Sequence, residues 1–309
     1  MRLLITGGAG CLGSNIIERY LPAGHEICVI DNYATGKRET LPRVAGLSVF
    51  EGSVADRDIL RSCFDALGPT HVIHSAAAYK DPDDWEEDAI TNVIGAINVA
   101  ELSAEYGVSK VINFQTALCY GNATQSPIRS DSPSAPFTSY GISKVAGEQY
   151  LVNSDCAVVS LRLANICGPR LAIGPIPTFY QRLSAGKACF CSDTVRDFLD
   201  YEDFLDLLDL VLADDAHTGV FNASTGEGHS IFDIFQIVAD YLEITDRDVP
   251  IVPPGDDDAQ SVVLDSSCAE RAFGWKAKKS FEQTIIRQLD WYKAYGVSEV
   301  HSHLKASGK

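Results

Sequence analysis

The chain has 309 residues, 46% of them hydrophobic and 22% charged, and its 42 acidic side chains outnumber 25 basic ones for a net charge of −17. That length can bury one large core or two smaller ones, and the composition is that of an ordinary globular protein. So negative a chain excludes nucleic acid and anionic membrane from the expected partners, and any anionic ligand must be held by local donors such as helix N-terminal amides or one well-placed arginine.

Nine cysteines are scattered along the chain, and the close pair Cys189 and Cys191 lacks the spacing of a zinc site. They read as reduced thiols of a cytoplasmic protein, and no metal is expected. The opening MRLLITGG is too short and too glycine-rich for a signal peptide, and no later stretch approaches the length of a membrane span.

Taken in order, apolar β-branched runs predict strands at 2–6, 26–30, 47–51, 71–75, 110–114 and 157–163, with helices at 11–21, 56–67 and 91–107 between them. Alternating strands and helices imply parallel strands joined by crossovers, hence a Rossmann-like, doubly wound α/β sheet. The rhythm fades after about residue 168, where a proline-rich stretch at 171–179, a loop to Arg196-Asp197-Phe198 and a helical tail follow. This predicts a dinucleotide-binding domain over 1–168 and 196–223 and a smaller interleaved substrate lobe over 169–195 and 224–309.

The first strand runs straight into Thr6-Gly7-Gly8-Ala9-Gly10-Cys11-Leu12-Gly13 and then a helix. Gly7, Gly10 and Gly13 permit a tight turn, close approach to a pyrophosphate and close helix–strand packing, while the amides at Cys11 and Leu12 open the helix toward the phosphates. The second strand ends at Asp31, eighteen residues after Gly13, followed by Asn32. A carboxylate there accepts hydrogen bonds from a ribose diol and repels a 2′-phosphate, so NAD is expected over NADP. Further on, TSYGISK places Tyr140 four residues before Lys144. Read alone, this pair fits an ordinary helix face as well as a phenol able to take a proton.

The glycine loop, the acidic residue and Tyr-x-x-x-Lys in this order resemble the short-chain dehydrogenase/reductase superfamily, and within it the NAD-dependent epimerase/dehydratase family acting on nucleotide sugars. His74-Ser75-Ala76-Ala77, Asn92 in TNVIGAINV, Gln115-Thr116-Ala117-Leu118-Cys119-Tyr120-Gly121, Arg162 to Pro169, Arg196-Asp197-Phe198 and Phe273-Gly274-Trp275 extend the resemblance over almost the whole chain. It is strongest to sugar-nucleotide epimerases of bacterial surface-polysaccharide pathways. The resemblance implies that Ser53, Val54, Ala76 and Asn92 line the cofactor, that Lys144 holds the nicotinamide ribose, and that Thr116 bonds the reacting sugar hydroxyl. The Lys144 ammonium and a cationic nicotinamide would both favour the phenolate of Tyr140. Asn165 and Arg196 match the family's diphosphate contacts, and Tyr79 and Lys80 fall where the sugar is expected, Lys80 being the cation that would meet a uronic carboxylate. The helices at 88–106 and 139–153 resemble the family's four-helix dimer interface, which implies a homodimer.

Two departures from the pattern stand out. Ser53 occupies a position where relatives carry an adenine-contacting Asp, and Pro253 stands where many carry a second phosphate-binding arginine before a late Gly-Asp, here Gly255-Asp256. Which reaction is run follows from missing groups. In the resembling family, dehydratases and decarboxylating members carry an acidic residue just after this Ser/Thr, and members that invert positions 3 and 5 carry a Cys two residues after it; here Ala117 and Leu118 follow Thr116. Cys119 lies one residue too far, which on a strand would face the other way. Inversion at C4 of a UDP-hexose or UDP-hexuronic acid derivative, through a transient 4-keto sugar, needs only Tyr140, Thr116 and NAD. A reductase or dehydrogenase of the same superfamily and a non-catalytic NAD sensor are the alternatives.

Overall fold

A computed structural model describes residues 1–245, 247–255 and 257–297, and the chain divides into two compact units. The first comprises Met1–Cys119, Thr138–Arg162 and Val211–Phe221. Its strands are β1 (Arg2–Thr6), β2 (Glu26–Asp31), β3 (Leu47–Glu51), β4 (His71–His74), β5 (Lys110–Thr116) and β6 (Val158–Leu163), each at the place its apolar run predicts. A further strand, β11 (Gly219–Ala223), completes a seven-stranded sheet of order β11-β6-β5-β4-β1-β2-β3, parallel from β3 through to β5. Residues of β1, β2, β5 and β6 are buried on both faces, as a parallel sheet covered by helices requires.

Helices α1 (Cys11–Tyr20) and α2 (Arg57–Leu67) follow β1 and β3. Asp56 caps α2 by accepting from the amides of Asp58 and Ile59, and Gly68 ends it in the left-handed region at φ 56°. The single helix expected at 91–107 starts earlier and is interrupted. It begins as α3 (Trp85–Ala89), capped by Asp84, passes through a π-helical turn at Ile90–Ile94 and continues as α4 (Gly95–Glu105). Helix α5 (Ser139–Val152) is capped by Thr138, whose side chain accepts from the Gly141 amide at 3.1 Å.

The second unit comprises Tyr120–Phe137, Leu163–Leu210 and the chain from Asn222. Its strands are short and paired locally: β7 (Asn165–Cys167) with β10 (Phe198–Asp200), β8 (Cys191–Ser192) with β13 (Ile251–Val252), and β9 (Val195–Arg196) between β12 (His229–Ser230) and β14 (Ser261–Val262). Helices α6 (Pro175–Ser184), α8 (Ile231–Tyr241) and α10 (Phe281–Tyr295) bury Phe179, Ile234, Phe235, Val238, Ile285 and Leu289 in one cluster, and α9 is Ser267–Phe273. The proline-rich stretch is therefore helical at its end, because Pro175 and Pro177 fall in the first turn of α6, where no intrahelical N–H is lost. Helix α7 (Tyr201–Ala213) runs from residues of the second unit into residues of the first. Among the described residues no helix is long and apolar enough to cross a membrane.

Candidate active site

The sheet order reverses between β1 and β4, and a doubly wound sheet binds ligands at the carboxyl ends of strands at such a switch point. Thr6 closes that end. Its hydroxyl bonds His74 Nδ1 at 2.8 Å and accepts from the Ala76 amide at 3.1 Å, and its carbonyl accepts from Ser75 Oγ. Burial lowers the His74 pKa to about 3, so the imidazole is a neutral structural link. Gly7 turns the chain with φ 70°, and a Cβ on it would stand 2.8 Å from the Ala76 backbone. A Cβ on Gly13 would lie 2.4 Å from the Gly7 carbonyl oxygen, so the loop tolerates no side chain there.

Gly10 is the N-cap of α1 and supplies no capping side chain, which turns the first-turn backbone of Cys11, Leu12 and Gly13 toward any anion that docks. Asp31 ends β2 and is 7% exposed. One of its carboxylate oxygens accepts from the Ala9 amide and the other from the Tyr33 amide, each at 2.8 Å, which ties the acid to the glycine loop and leaves lone pairs for a diol. Burial raises its pKa and those two amides lower it. Asn32 accepts from the Ala34 amide, and Ser53 Oγ from the Ala55 amide at 3.2 Å, in a loop whose Gly52 amide donates to the Asp31 carbonyl. The carbonyl of buried Val54 accepts from Asn98. A glycine turn without room for side chains, an uncapped helix start and a carboxylate bonded to the loop fit a dinucleotide.

The end of β5 meets α5 at three successive residues. Lys144 Nζ donates to the Phe114 carbonyl at 2.7 Å, Gln115 Nε2 donates to the Lys144 carbonyl at 2.8 Å, and the Thr116 and Tyr140 side chains are hydrogen-bonded. Tyr79 stands edge-on to Tyr140, ring centroids 6.1 Å apart. Burial pushes the Tyr140 phenol above its ordinary range, Tyr79 and Asp88 push it further, and the Thr116 bond opposes them. Burial brings the Lys144 ammonium down to about 8, with Glu148 opposing, so it stays mostly charged at neutral pH. The chain's own groups thus raise the proton affinity of Tyr140, and the positive charge expected to favour the phenolate includes that of a bound nicotinamide. The Lys144 ammonium is turned to the Phe114 carbonyl.

Asn92 sits in the π-helical turn. It accepts from the Ala78 amide at 2.9 Å and donates to the Ala78 carbonyl and to Ser143 Oγ, each at 3.0 Å. It therefore pins the Ala76–Ala78 segment to α5, a use of irregular helix common at functional sites. Cys119 lies in a 3-10 turn over Ala117–Tyr120, not on a strand, because β5 stops at Thr116. Strand alternation does not apply to it. The thiol is nonetheless withdrawn: it is fully buried and its pKa is pushed up to about 12. Lys80 is exposed.

On the second unit, Asn165 opens β7 with its side chain donating to the Asp197 carbonyl at 3.0 Å. Arg196 is nearly buried and bonds the Asp258 carboxylate, the Ala259 carbonyl at 2.6 Å and the Val195 carbonyl at 2.8 Å. Its ion-pair partner is thus Asp258, while Asp197 accepts from Thr225 and Gly226. Pro253 and Gly255 are described, and Asp256 lies outside the described residues.

Three supporting residues were not singled out from sequence. Gln115 needed only its place before Thr116, and Glu148 extends the four-residue spacing of Tyr140 and Lys144. Glu148 pairs with Arg162 at 2.7 Å, both buried, and accepts from Ser160. The third, Asp88, carried no local signal.

The sequence profile of the NAD dependent epimerase/dehydratase family matches residues 3–224. The chain is 65% identical to the Bordetella bronchiseptica enzyme WbmG in its complex with NAD and UDP, with a TM-score of 0.94 over 99% of each chain. It is 28% identical to Thermotoga maritima UDP-glucose 4-epimerase with UDP-glucose, at a TM-score of 0.87 over 95% of this chain and 99% of that one. The UDP-glucose 4-epimerase of Corynebacterium glutamicum is 29% identical, over 93% of this chain and 94% of its own.

Proposed function

The chain belongs to the NAD dependent epimerase/dehydratase family, and on that premise we propose that it inverts C4 of a UDP-linked hexose or hexuronic acid derivative, with NAD as resident cofactor. One observation carries the choice of reaction: the Tyr140 phenol bonds Thr116, and neither Ala117 nor Leu118 beyond it can move a proton. Dehydration would require such a group to protonate the leaving hydroxyl. The relatives named UDP-glucose 4-epimerase and the neighbour that binds NAD and UDP support the same reading.

NAD would be held by the Gly7–Gly13 turn, the start of α1, Asp31 and Asn32, the Ser53–Val54 loop, and Ala76, Asn92, Tyr140 and Lys144. When bound it supplies the hydride acceptor and donor for sugar C4 and positive charge beside the phenol. Tyr140 takes the O4 proton as the 4-keto sugar forms and returns it after the sugar has presented its other face. Thr116 orients that oxygen, and Lys144 supports both the ribose and the phenolate. Asn165 and Arg196 are the proposed diphosphate contacts, and Lys80 is the cation for a C5 carboxylate. Arg196 must share its charge with Asp258, which favours a contact it keeps while paired.

Nine free thiols fit a reducing cytoplasm. Exposed Trp85, Ile90 and Ile94 along α3–α4, with Ile142 and Tyr150 on α5, fit a homodimer built on those helices. The setting proposed is surface-polysaccharide synthesis. The test is turnover of UDP-glucose, UDP-N-acetylglucosamine and UDP-glucuronic acid by the NAD-loaded protein, each deuterated at C4. The label should remain in the inverted product; solvent deuterium at C3 or C5 would mean enolisation and another enzyme.

A further inference from the structure

Two carboxylates stand side by side at the carboxyl ends of β2 and β3. Asp31 and Glu51 are register partners in this parallel pair, so their side chains leave the sheet on the same face. Asp31 is buried and held by the Ala9 and Tyr33 amides. Glu51 is exposed and pairs with the Arg38 guanidinium, which lies over the Tyr33 ring with Cζ 4.7 Å from the ring centroid.

The segment that carries Arg38 is fastened to the glycine turn through one residue. The Ala9 carbonyl accepts from the Lys37 amide at 3.2 Å and from the Thr40 hydroxyl at 3.1 Å, while the Ala9 amide holds Asp31. A Cβ on Gly36 would stand 2.8 Å from the Ala9 carbonyl carbon, so the segment lies close against the turn. Tyr33 begins it at φ 57°, a left-handed conformation uncommon for a bulky side chain, and the bond from its amide to Asp31 holds it there. One loop therefore carries both the acid placed for a ribose diol and a cation of opposite preference. An arginine near that acid is the group that accommodates a 2′-phosphate, through charge-assisted and often bidentate bonds.

We propose that Glu51 is a specificity-determining residue for the cofactor: by engaging Arg38 it withholds from a 2′-phosphate the cation that the loop carries, and so reinforces the choice of NAD made by Asp31. The proposal rests on the placing of the adenosine ribose at Asp31 and is independent of which sugar is turned over. Stacking on Tyr33 occupies the face of the guanidinium and leaves its edge for an acid, which Glu51 supplies. Both side chains of the pair are 60% exposed, so its effect is modest, about two- to fivefold in affinity.

The test equilibrates the protein with mixtures of NAD and NADP, releases the bound nucleotide and quantifies each form by chromatography, which needs no turnover. Glu51→Gln should shift the bound ratio toward NADP by about two- to fivefold. Arg38→Gln leaves the acid bare and should give no shift toward NADP, and the two substitutions together should return the ratio to the parent's. An unchanged ratio in Glu51→Gln overturns the proposal. So does a double variant that keeps the relaxed ratio, because Glu51 would then act by its own repulsion and not through Arg38. If the parent retains too little NADP to measure, all four proteins are compared with Asp31→Ala added, and NADP undetectable there as well overturns the proposal. A parent that selects NADP would overturn the reading of Asp31 and take the proposal with it.

Discussion

At Tyr140 the half-buried phenol has its pKa raised by desolvation, with Thr116 as the opposing hydrogen bond. Removing one oxygen in Tyr140→Phe keeps the packing. We expect fold and NAD binding to persist while turnover drops about 10²- to 10⁴-fold, the usual worth of a general base; steady-state rates alongside NAD titration check this. Thr116→Ala should cost less, because it removes an orienting bond and leaves the base. Asp31 argues for the cofactor. Both its oxygens are already bonded to backbone amides, so the carboxylate is held where a 2′-phosphate would be repelled. The protein should prefer NAD to NADP by titration, and Asp31→Ala should narrow that preference without abolishing binding. His74 makes a stability prediction. Its folded pKa of about 3 lies below the ordinary imidazole value of 6.5, so only the unfolded chain takes up this proton between those limits. Stability therefore falls as pH drops through that window, by at most about 1.4 kcal/mol per pH unit for one proton. Denaturant midpoints for a His74→Asn variant should show a flatter acid limb.

At the scale of elements, the approach of α5 to α4 is set by the missing side chain at Gly147. In an open helix, Gly→Ala would gain about 1 kcal/mol. Here the added methyl meets the Asn92 backbone at 2.2 Å, and backbone in a π-helical turn that bonds Ala78 cannot simply step aside. Overpacking costs about 1–3 kcal/mol. Gly147→Ala should therefore destabilise the protein on balance and weaken NAD binding through the displaced Ala76–Ala78 segment, as unfolding and cofactor titration would show. The element boundaries were legible where a local signal marks them: the apolar runs of β1 to β6 and the glycine turn before α1. The break at Ile90–Ile94 was not, since TNVIGAINV reads as one continuous helix and only the bonds of Asn92 to Ala78 and Ser143 account for the wider turn. The start of α6 inside the proline-rich stretch carried no periodic signal, and its prolines fall in the first turn, where they end nothing.

Across the whole molecule, exposed apolar side chains on α3, the π turn and α5 predict association. Light scattering or sedimentation should report a homodimer, and Ile142→Glu, which places a charge on an exposed α5 position, should yield monomer with its fold intact. The same scale shows what sequence alone could reach. Its spacing determined the Rossmann-like sheet, the glycine turn before α1, the acid at the end of β2 and the placing of Tyr140 and Lys144 on one helix, because each is a pattern within one strand, turn or helix and backbone geometry converts such spacing directly into position. Tertiary structure alone decided which groups surround them. Asp88 meets Ser139 across 51 positions and Arg196 meets Asp258 across 62, while burial raises the proton affinity of the Tyr140 phenol. Desolvation and long-range pairing depend on what the folded chain brings together, and no window of neighbouring residues contains that information.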